Sequence, residues 1–573
     1  NSIESGGNYN VVIGDEAGTA LTTGDSNTLI GYAAGDALTD MGSNTAIGSG
    51  AMGGATSASG NVAIGDDAGG LATNTSDNNV WIGLHAGGAT TSGASNVLIG
   101  YASGDAITTG GSNTFVGYNS GTAQTTGSAN TLVGNTSGAA ITTGDNNVLI
   151  GYGAGDAFDT ESNNVAIGSG ALGGASYAAT GNTAIGYLAG QLMTTGASSV
   201  IIGGYAGDAI TTGTANTLVG DAAGGAITTG GYNVFMGFQA GDATTTASHV
   251  LGIGAAALGA NTTGTQNVAV GNYSLDACTT GNYNTALGVN AGGAITEASQ
   301  NTAVGRGALG AVTTTGQHTA MGDQALAACT SGTNNTAFGS QAGAAVTSGV
   351  SNTFVGAYSG DAMTEGDKNV AVGYGALGAD VYGNKSVAVG YEALLAQTHS
   401  SELDFHNTAV GFASGLNVTT GLDNTLIGGL AGDAITTGGT NTFVGKDAGG
   451  ALTTGNSTVG IGKGALAAQT TSGNNVAVGY NAGLSVTTGT NMVLIGDNAG
   501  DAITTVSNLV AVGKNALGAN TSGTSNTAVG YQAGAAITTG ASNTIMGYEA
   551  GDALTSGPRN VAVGSGALTA NTT

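Results

Sequence analysis

One motif, Asn-(Thr or Val)-apolar-apolar-Gly, returns along almost the whole chain at a fixed interval. Its glycine stands at Gly14, Gly31, Gly48, Gly65, Gly83 and Gly100 and continues in step to Gly564. There are 33 copies, and of the 32 intervals 29 are 17 residues, two are 18 and one is 21. A period this short constrains the fold more than any other feature. A 17-residue unit cannot bury its own apolar face and must bury it against its neighbours. Numbered from the Asn, positions 2 to 4 are β-branched or apolar and position 5 is Gly, which predicts a short strand and a turn. Positions 11 to 14, typified by Ala106-Ile107-Thr108-Thr109, predict a second short strand, and the Gly at position 15 a second turn. No helix fits in what remains. The expected fold is all-β: a rod-shaped parallel β-solenoid (β-roll or β-helix) of about 33 coils, 17 residues per coil, about 160 Å long at about 4.8 Å per coil. Residues 1–9 form a lead-in. Residues 10–573 form one continuous array, with its longest insertion at 397–406.

Composition agrees with a thin core. Gly is 110 of 573 residues with a single Pro and no three-residue period, which excludes collagen. Apolar residues are 40 %, enough for a packed interior, and most are small. Position 8 is Ala or Ser in every copy, as expected where the coil walls nearly touch. Position 1 is Asn in 26 copies, which suits a ladder of stacked amides. Gly at position 5 points to positive φ or close backbone approach.

Positions 3 and 4 are both apolar throughout, yet adjacent strand residues face opposite ways. Position 4 is therefore expected to face the coil interior, and position 3 to need a second partner. Position 3 also ranges in size from Gly to Trp, which a narrow interior should tolerate poorly. Leu29, Trp81, Phe115, Phe235, Phe354 and Phe443 are thus expected to pack between chains. A lone chain would expose an apolar stripe along its whole length. The expectation is self-association, with a parallel homotrimer favoured over a dimer or lateral sheet and end-to-end polymerisation as a variant.

Net charge is −27, and all seven Lys and Arg residues lie after residue 305. Such a surface repels phosphate backbones, so nucleic acid is not an expected partner. No apolar run reaches the length of a membrane-spanning helix. No signal peptide is visible and the chain starts at Asn1, so a processed protein or a segment of a larger one is expected.

Asp recurs ten times at position 10, never in consecutive coils, as expected if stacked like charges are avoided. That spacing opposes a dedicated calcium ladder; no cofactor is expected beyond loosely held Ca2+. Rings at position 6 include Tyr32, Tyr101, Tyr118, Tyr152, Tyr374, Tyr480, Tyr531 and Tyr548, a candidate exposed aromatic strip for surface glycans. The alternative is that they cover turn backbone. Thr pairs at positions 13 and 14 raise an ice-binding reading, which needs two Thr columns facing one way; adjacent Thr residues point oppositely. Cys278 and Cys329 both occupy position 12, three coils apart, too far to pair and suited to the core. The insertion carries His399, Glu402, Asp404 and His406, which are metal-ligand types in what is otherwise a solvated loop. No nucleophile elbow, phosphate loop or HExxH is present, so an enzyme is not expected.

The strand, the Ala-Gly step and the Thr-Thr-Gly turn, as in Asn526-Thr-Ala-Val-Gly-Tyr-Gln-Ala-Gly and Ile537-Thr-Thr-Gly540, resemble the repeats of bacterial and phage tail-fibre-like proteins. The strand motif alone is similar to the head repeats of trimeric autotransporter adhesins. The resemblance implies a trimeric extracellular, cell-surface or virion-borne fibre. The chain departs from those families in showing no chaperone domain, membrane anchor or coiled-coil stalk. The expected function is a structural fibre or filament shaft for attachment or spacing. A glycan-binding adhesin or phage receptor-binding fibre and an ice-binding solenoid are the alternatives.

Overall fold

A computed structural model describes residues 7–174 and 178–573; residues 1–6 of the expected lead-in lie outside the described residues. Two compact units divide at Asn284/Thr285. The first stacks sixteen three-residue strands, from Val11–Ile13 to Val268–Val270. The second stacks seventeen, from Thr285–Leu287 to Val561–Val563, with a small extra pair at Gly383–Asn384 and Leu403–Asp404. Among the described residues there is no helix. Within each unit every strand pairs in parallel with the equivalent residues of the next coil, as in Val11↔Thr28 and Leu132↔Leu149. Each unit is therefore a parallel β-solenoid, as the period requires.

The longer coils keep this register. Ala63 still pairs with Trp81 across an 18-residue interval, and Ala388 with Ala409 across the 21-residue one. The extra residues are absorbed in turns: Ala55 bridges Asn74, and the insertion pairs Gly383 with Leu403.

The second expected strand does not form. Positions 11 to 14 are turns and bends. Ile107 N–H turns back to the Gly104 carbonyl at 3.1 Å, which breaks the ladder; Ala106 N–H reaches Thr122 O at 3.3 Å, and the Thr108 and Thr109 N–H groups converge on the one Thr125 carbonyl of the next coil, at 2.9 and 3.3 Å. The Thr108 hydroxyl donates to that same carbonyl at 3.1 Å, and Thr125 repeats the pattern onto Thr142. The Thr column thus ties coil to coil instead of forming a two-strand wall.

Position 3, not position 4, faces the interior. Leu29, Trp81, Phe115, Phe235, Phe354 and Phe443 have no exposed surface. They are the core of the chain that carries them, which corrects their expected place between chains. Their size range is tolerated because glycines of the same coil and of the adjacent coil make room. A Cβ added at Gly69 or Gly87 would lie 2.5 or 2.3 Å from the Trp81 indole. Gly241 and Gly252 stand in the same relation to the Phe235 ring, at 2.5 and 2.8 Å. Conversely, Leu or Met occurs at position 9 only where position 3 of the same coil is Ala or Gly, as in Ala166 with Leu172. One interior volume is filled from either wall, so residue size at position 3 can vary while the interior stays packed.

Position 5 needs glycine on two counts. Gly14 has φ +140°, a region closed to other residues. A Cβ there would also sit 2.2 Å from the Gly31 carbonyl oxygen.

The Asn ladder forms as expected. Asn147 N–H donates to Asn130 Oδ1 at 2.9 Å, and its own Oδ1 accepts Asn164 N–H at 3.0 Å. Its Nδ2 closes the coil onto the Glu161 carbonyl at 2.8 Å. All of this is buried. Asn147→Leu should strand the Asn164 N–H and the Glu161 carbonyl, at about 1–3 kcal/mol for each group left unpaired. A thermal midpoint within error of the parent's, with unchanged hydrogen exchange at Asn164, would contradict the ladder's role.

Candidate functional site

With position 3 turned inward, the outward side of each strand carries positions 2 and 4. Position 2 is Thr or Val except at Leu251, and position 4 is apolar in every coil. No charged or amide side chain occurs at positions 2 to 4 of any coil, in a chain with 41 charged residues. These side chains are partly exposed, among them Ile64, Ile150, Met236, Phe338, Ile427 and Ile495. The result on each unit is an uncharged stripe with one column chiefly of Thr and Val and one chiefly of Ile and Val. This is the apolar stripe anticipated from the sequence, on the opposite face of the strand.

The position-6 rings lie along a different side of the coil. Tyr32, Tyr101, Tyr118, Tyr152, Tyr374, Tyr480, Tyr531 and Tyr548 are all exposed. Where rings fall in successive coils they stack: Tyr101 on Tyr118 at 5.1 Å, Tyr374 on Tyr391 and Tyr391 on Phe412 at 5.4 Å each, Tyr531 on Tyr548 at 5.2 Å. The coil spacing sets these distances, and offset stacking suits them. Lys463 lies over the Tyr480 ring at 5.9 Å. Tyr32 and Tyr152 have no ring neighbour among the described residues, and each borders a notch in the surface.

The position-10 carboxylates are half-buried beside these rings. Desolvation pushes Asp36, Asp105, Asp156 and Asp361 above the usual carboxylate range. Such groups hold protons better in the folded chain than in the unfolded one. Their penalty is present at neutral pH and is relieved as pH falls through the raised values toward the ordinary 3.8. The thermal midpoint is therefore expected to rise on acidification from pH 7 toward 4 at fixed ionic strength. A monotonic fall over that window would contradict this account. Asp404 acts in the opposite sense: hydrogen bonding to Lys385 holds its carboxyl below the usual range.

The ionisable residues of the insertion do not converge. Asp404 pairs with Lys385 and His406 with Asp423 at 3.5 Å, while His399 contacts Ser401 and the edge of the Phe405 ring. Glu402 is exposed. Among the described residues no three His, Cys, Asp or Glu side chains gather into a metal-sized group. Gln397, at the start of the insertion, is buried and anchors it, donating to Asp380 at 2.7 Å and to Ser386 Oγ at 2.9 Å. Cys278 and Cys329 are free and buried, their thiols pushed up to about 11 by desolvation, which makes them inert core residues.

Two features escaped the sequence reading: the position 2 and 4 face, and the notches beside Tyr32 and Tyr152. The first leaves a trace in the sequence, the pairing of positions 3 and 9, which reads as a shared interior only once the coils are stacked. The second was legible in a repeated string, discussed below. No family model, curated protein or solved structure matches this chain.

Proposed function

We propose that this chain is a structural segment of an extracellular, cell-surface or virion fibre that works as an assembled multimer, copies joining through the position 2 and 4 strand face. The carrying observation is the uncharged, partly exposed stripe that repeats in every coil. Over the sixteen strands of the first unit, a face about 10 Å wide at about 4.8 Å per strand amounts to roughly 770 Å2. That is close to the ~800 Å2 per partner of a standard stable interface. A second copy is the occupant that fits, because only a surface with the same coil spacing keeps like columns in register at every step. Face-to-face sheets pack about 10 Å apart, a distance that Val, Ile and Thr fill. A parallel homotrimer around a common axis, implied by the resemblance to fibre and adhesin repeats, is the arrangement we favour. The net charge of −27 keeps assembled particles apart laterally.

The native mass tests this directly. Light scattering over a range of concentrations is expected to give three times the 54.1 kDa of one chain. A dimer would retain the assembly and overturn the trimer. A monomer at every concentration would overturn both, and thermal hysteresis in that monomer would transfer the strand face to ice.

A further inference from the structure

The aromatic column is interrupted twice in the same way. Gly-Tyr-x-Ala-Gly-Asp-Ala at 31–37 and 151–157 is followed, one coil on, by Ala-Ile-Gly-Ser-Gly-Ala-(Met or Leu)-Gly-Gly at 46–54 and 166–174. In both places a coil with a Tyr and an Asp is followed by a coil with Ser where the ring would stand and glycine around it. The second copy makes a notch of about 280 Å3 between Tyr152 and Tyr187, flanked by Asp156 and Gln191. The first makes one of about 390 Å3 beside Tyr32, with Asp36 and Asp67 on its flanks. Both lie near the lower end of the ~300–1,000 Å3 of small-molecule clefts, room for one ring and not for an extended ligand.

Glycine leaves the floor bare, and the space above it is closely bordered. A Cβ at Gly173 would lie 3.0 Å from the Gly153 carbonyl oxygen and 3.1 Å from Asp156 Oδ1, and one at Gly170 would lie 2.6 Å from Leu188 Cδ2. In the first notch a Cβ at Gly50 would lie 2.2 Å from Asp67 Oδ1. Carbonyl and carboxylate oxygens therefore border an open floor walled by aromatic rings. Tyr152 is 67 % exposed, the most open of the position-6 tyrosines. Tyr187 is braced from behind by the edge of Tyr205, at 5.2 Å and 83°. Where rings fall in successive coils each covers a face of the next; Tyr152 and Tyr187 are instead separated by the coil that carries Ser169, and neither stacks on another position-6 ring among the described residues.

The chemistry selects the ligand. A face of electron-rich rings takes polarised C–H groups, and a rim of oxygen acceptors takes hydroxyl donors. A pyranose offers both at once. No Lys or Arg occurs before residue 306, and the flanks are acidic, so a carboxylated or sulfated sugar meets repulsion with nothing to offset it.

We propose that the notch between Tyr152 and Tyr187 binds a neutral pyranose unit of a surface glycan, and that the Tyr32 notch, with one ring wall instead of two, is a weaker second copy. This goes beyond assembly through the strand face and does not depend on it. The test uses the full chain against neutral and acidic oligosaccharides, read by saturation-transfer NMR and then by titration calorimetry. Neutral sugars are expected to bind and acidic ones not. Y152A/Y187A should lower affinity at least ten-fold with an unchanged circular dichroism spectrum. Y101A/Y118A, which removes a mutually stacked pair, should leave it unchanged. Absence of binding by any neutral sugar, preference for acidic ones, or a Y152A/Y187A variant that binds like the parent would each overturn the proposal. The strand-face reading would survive all three.

Discussion

Replacing Ile150, Ile185 and Val219 with Asp should release single 54.1 kDa chains from the assembled particle. All three occupy position 4 of alternate coils, on the outward face of the strand. Alternate coils avoid stacking carboxylates one strand apart, which would disturb the fold itself. A carboxylate enclosed against an apolar partner without a counter-charge costs several kcal/mol, and three such groups exceed what most interfaces can absorb. The free chain pays little of this, since there the same carboxylates face water. The matched control places the same charges elsewhere: Thr109→Asp, Thr143→Asp and Thr212→Asp lie at exposed position 14 and should leave the particle mass unchanged. If the strand-face variant keeps the parent mass with a parent-like spectrum, the strand face is not the contact surface.

The second large effect is expected inside the coil. Trp81 is wholly buried, lying against Gly69 and Gly87. Trp81→Ala should cost about 3–5 kcal/mol, because the rigid backbone of the neighbouring coils cannot collapse into the cavity. In a stacked array each coil is stabilised by its neighbours alone, so the loss should be local. Hydrogen exchange should accelerate at Gly69 N–H, bonded to Ala86 O at 2.9 Å, and at Gly87 N–H, bonded to Ser103 O at 3.0 Å, more than in distant coils. Adding Gly87→Leu to Trp81→Ala recreates the Ala166 and Leu172 arrangement and should recover part of the loss. Leu172 has φ +49°, so the backbone at position 9 accepts leucine at a tolerable strain. A Trp81→Ala variant within about 1 kcal/mol of the parent, with even exchange along the chain, would contradict the interior placement of position 3.

The two predictions test the same assignment from opposite sides. If position 3 is inside, its truncation destabilises the chain and spares the assembly. If position 4 is outside, its charging breaks the assembly and spares the chain. The reverse assignment, which the size range of position 3 suggested, exchanges these outcomes.

Several features were legible because they depend on one coil and its immediate successor. A 17-residue period forces stacking; Asn at position 1 supplies a donor and an acceptor at the stacking distance; Gly at position 5 answers both a positive φ and a close carbonyl. The exposed tyrosines follow from their place just beyond the strand end. The second strand was misread because Ala-Ile-Thr-Thr has the composition of a strand, while the Ile107 N–H is drawn into a bond with the Gly104 carbonyl. The insertion offered weak metal-ligand candidates in a solvated loop, and the partners that engage them lie in adjacent coils, such as Lys385 and Asp423, which spacing along the chain does not reveal.

The sequence by itself determined that this chain is a parallel β-solenoid of stacked 17-residue coils, with an Asn ladder and an apolar column on each side of its strand. Only the tertiary structure decided which column is the core. A shift of one residue reverses every side chain of a strand, and in a three-residue strand with apolar residues throughout, periodicity cannot choose between the two. The choice is made by volume shared between coils. Trp81 fits inside because Gly69 and Gly87, six residues or more away in the chain, leave its space empty. Interior fit is a property of neighbouring coils together, and that is why it becomes visible only once they are stacked.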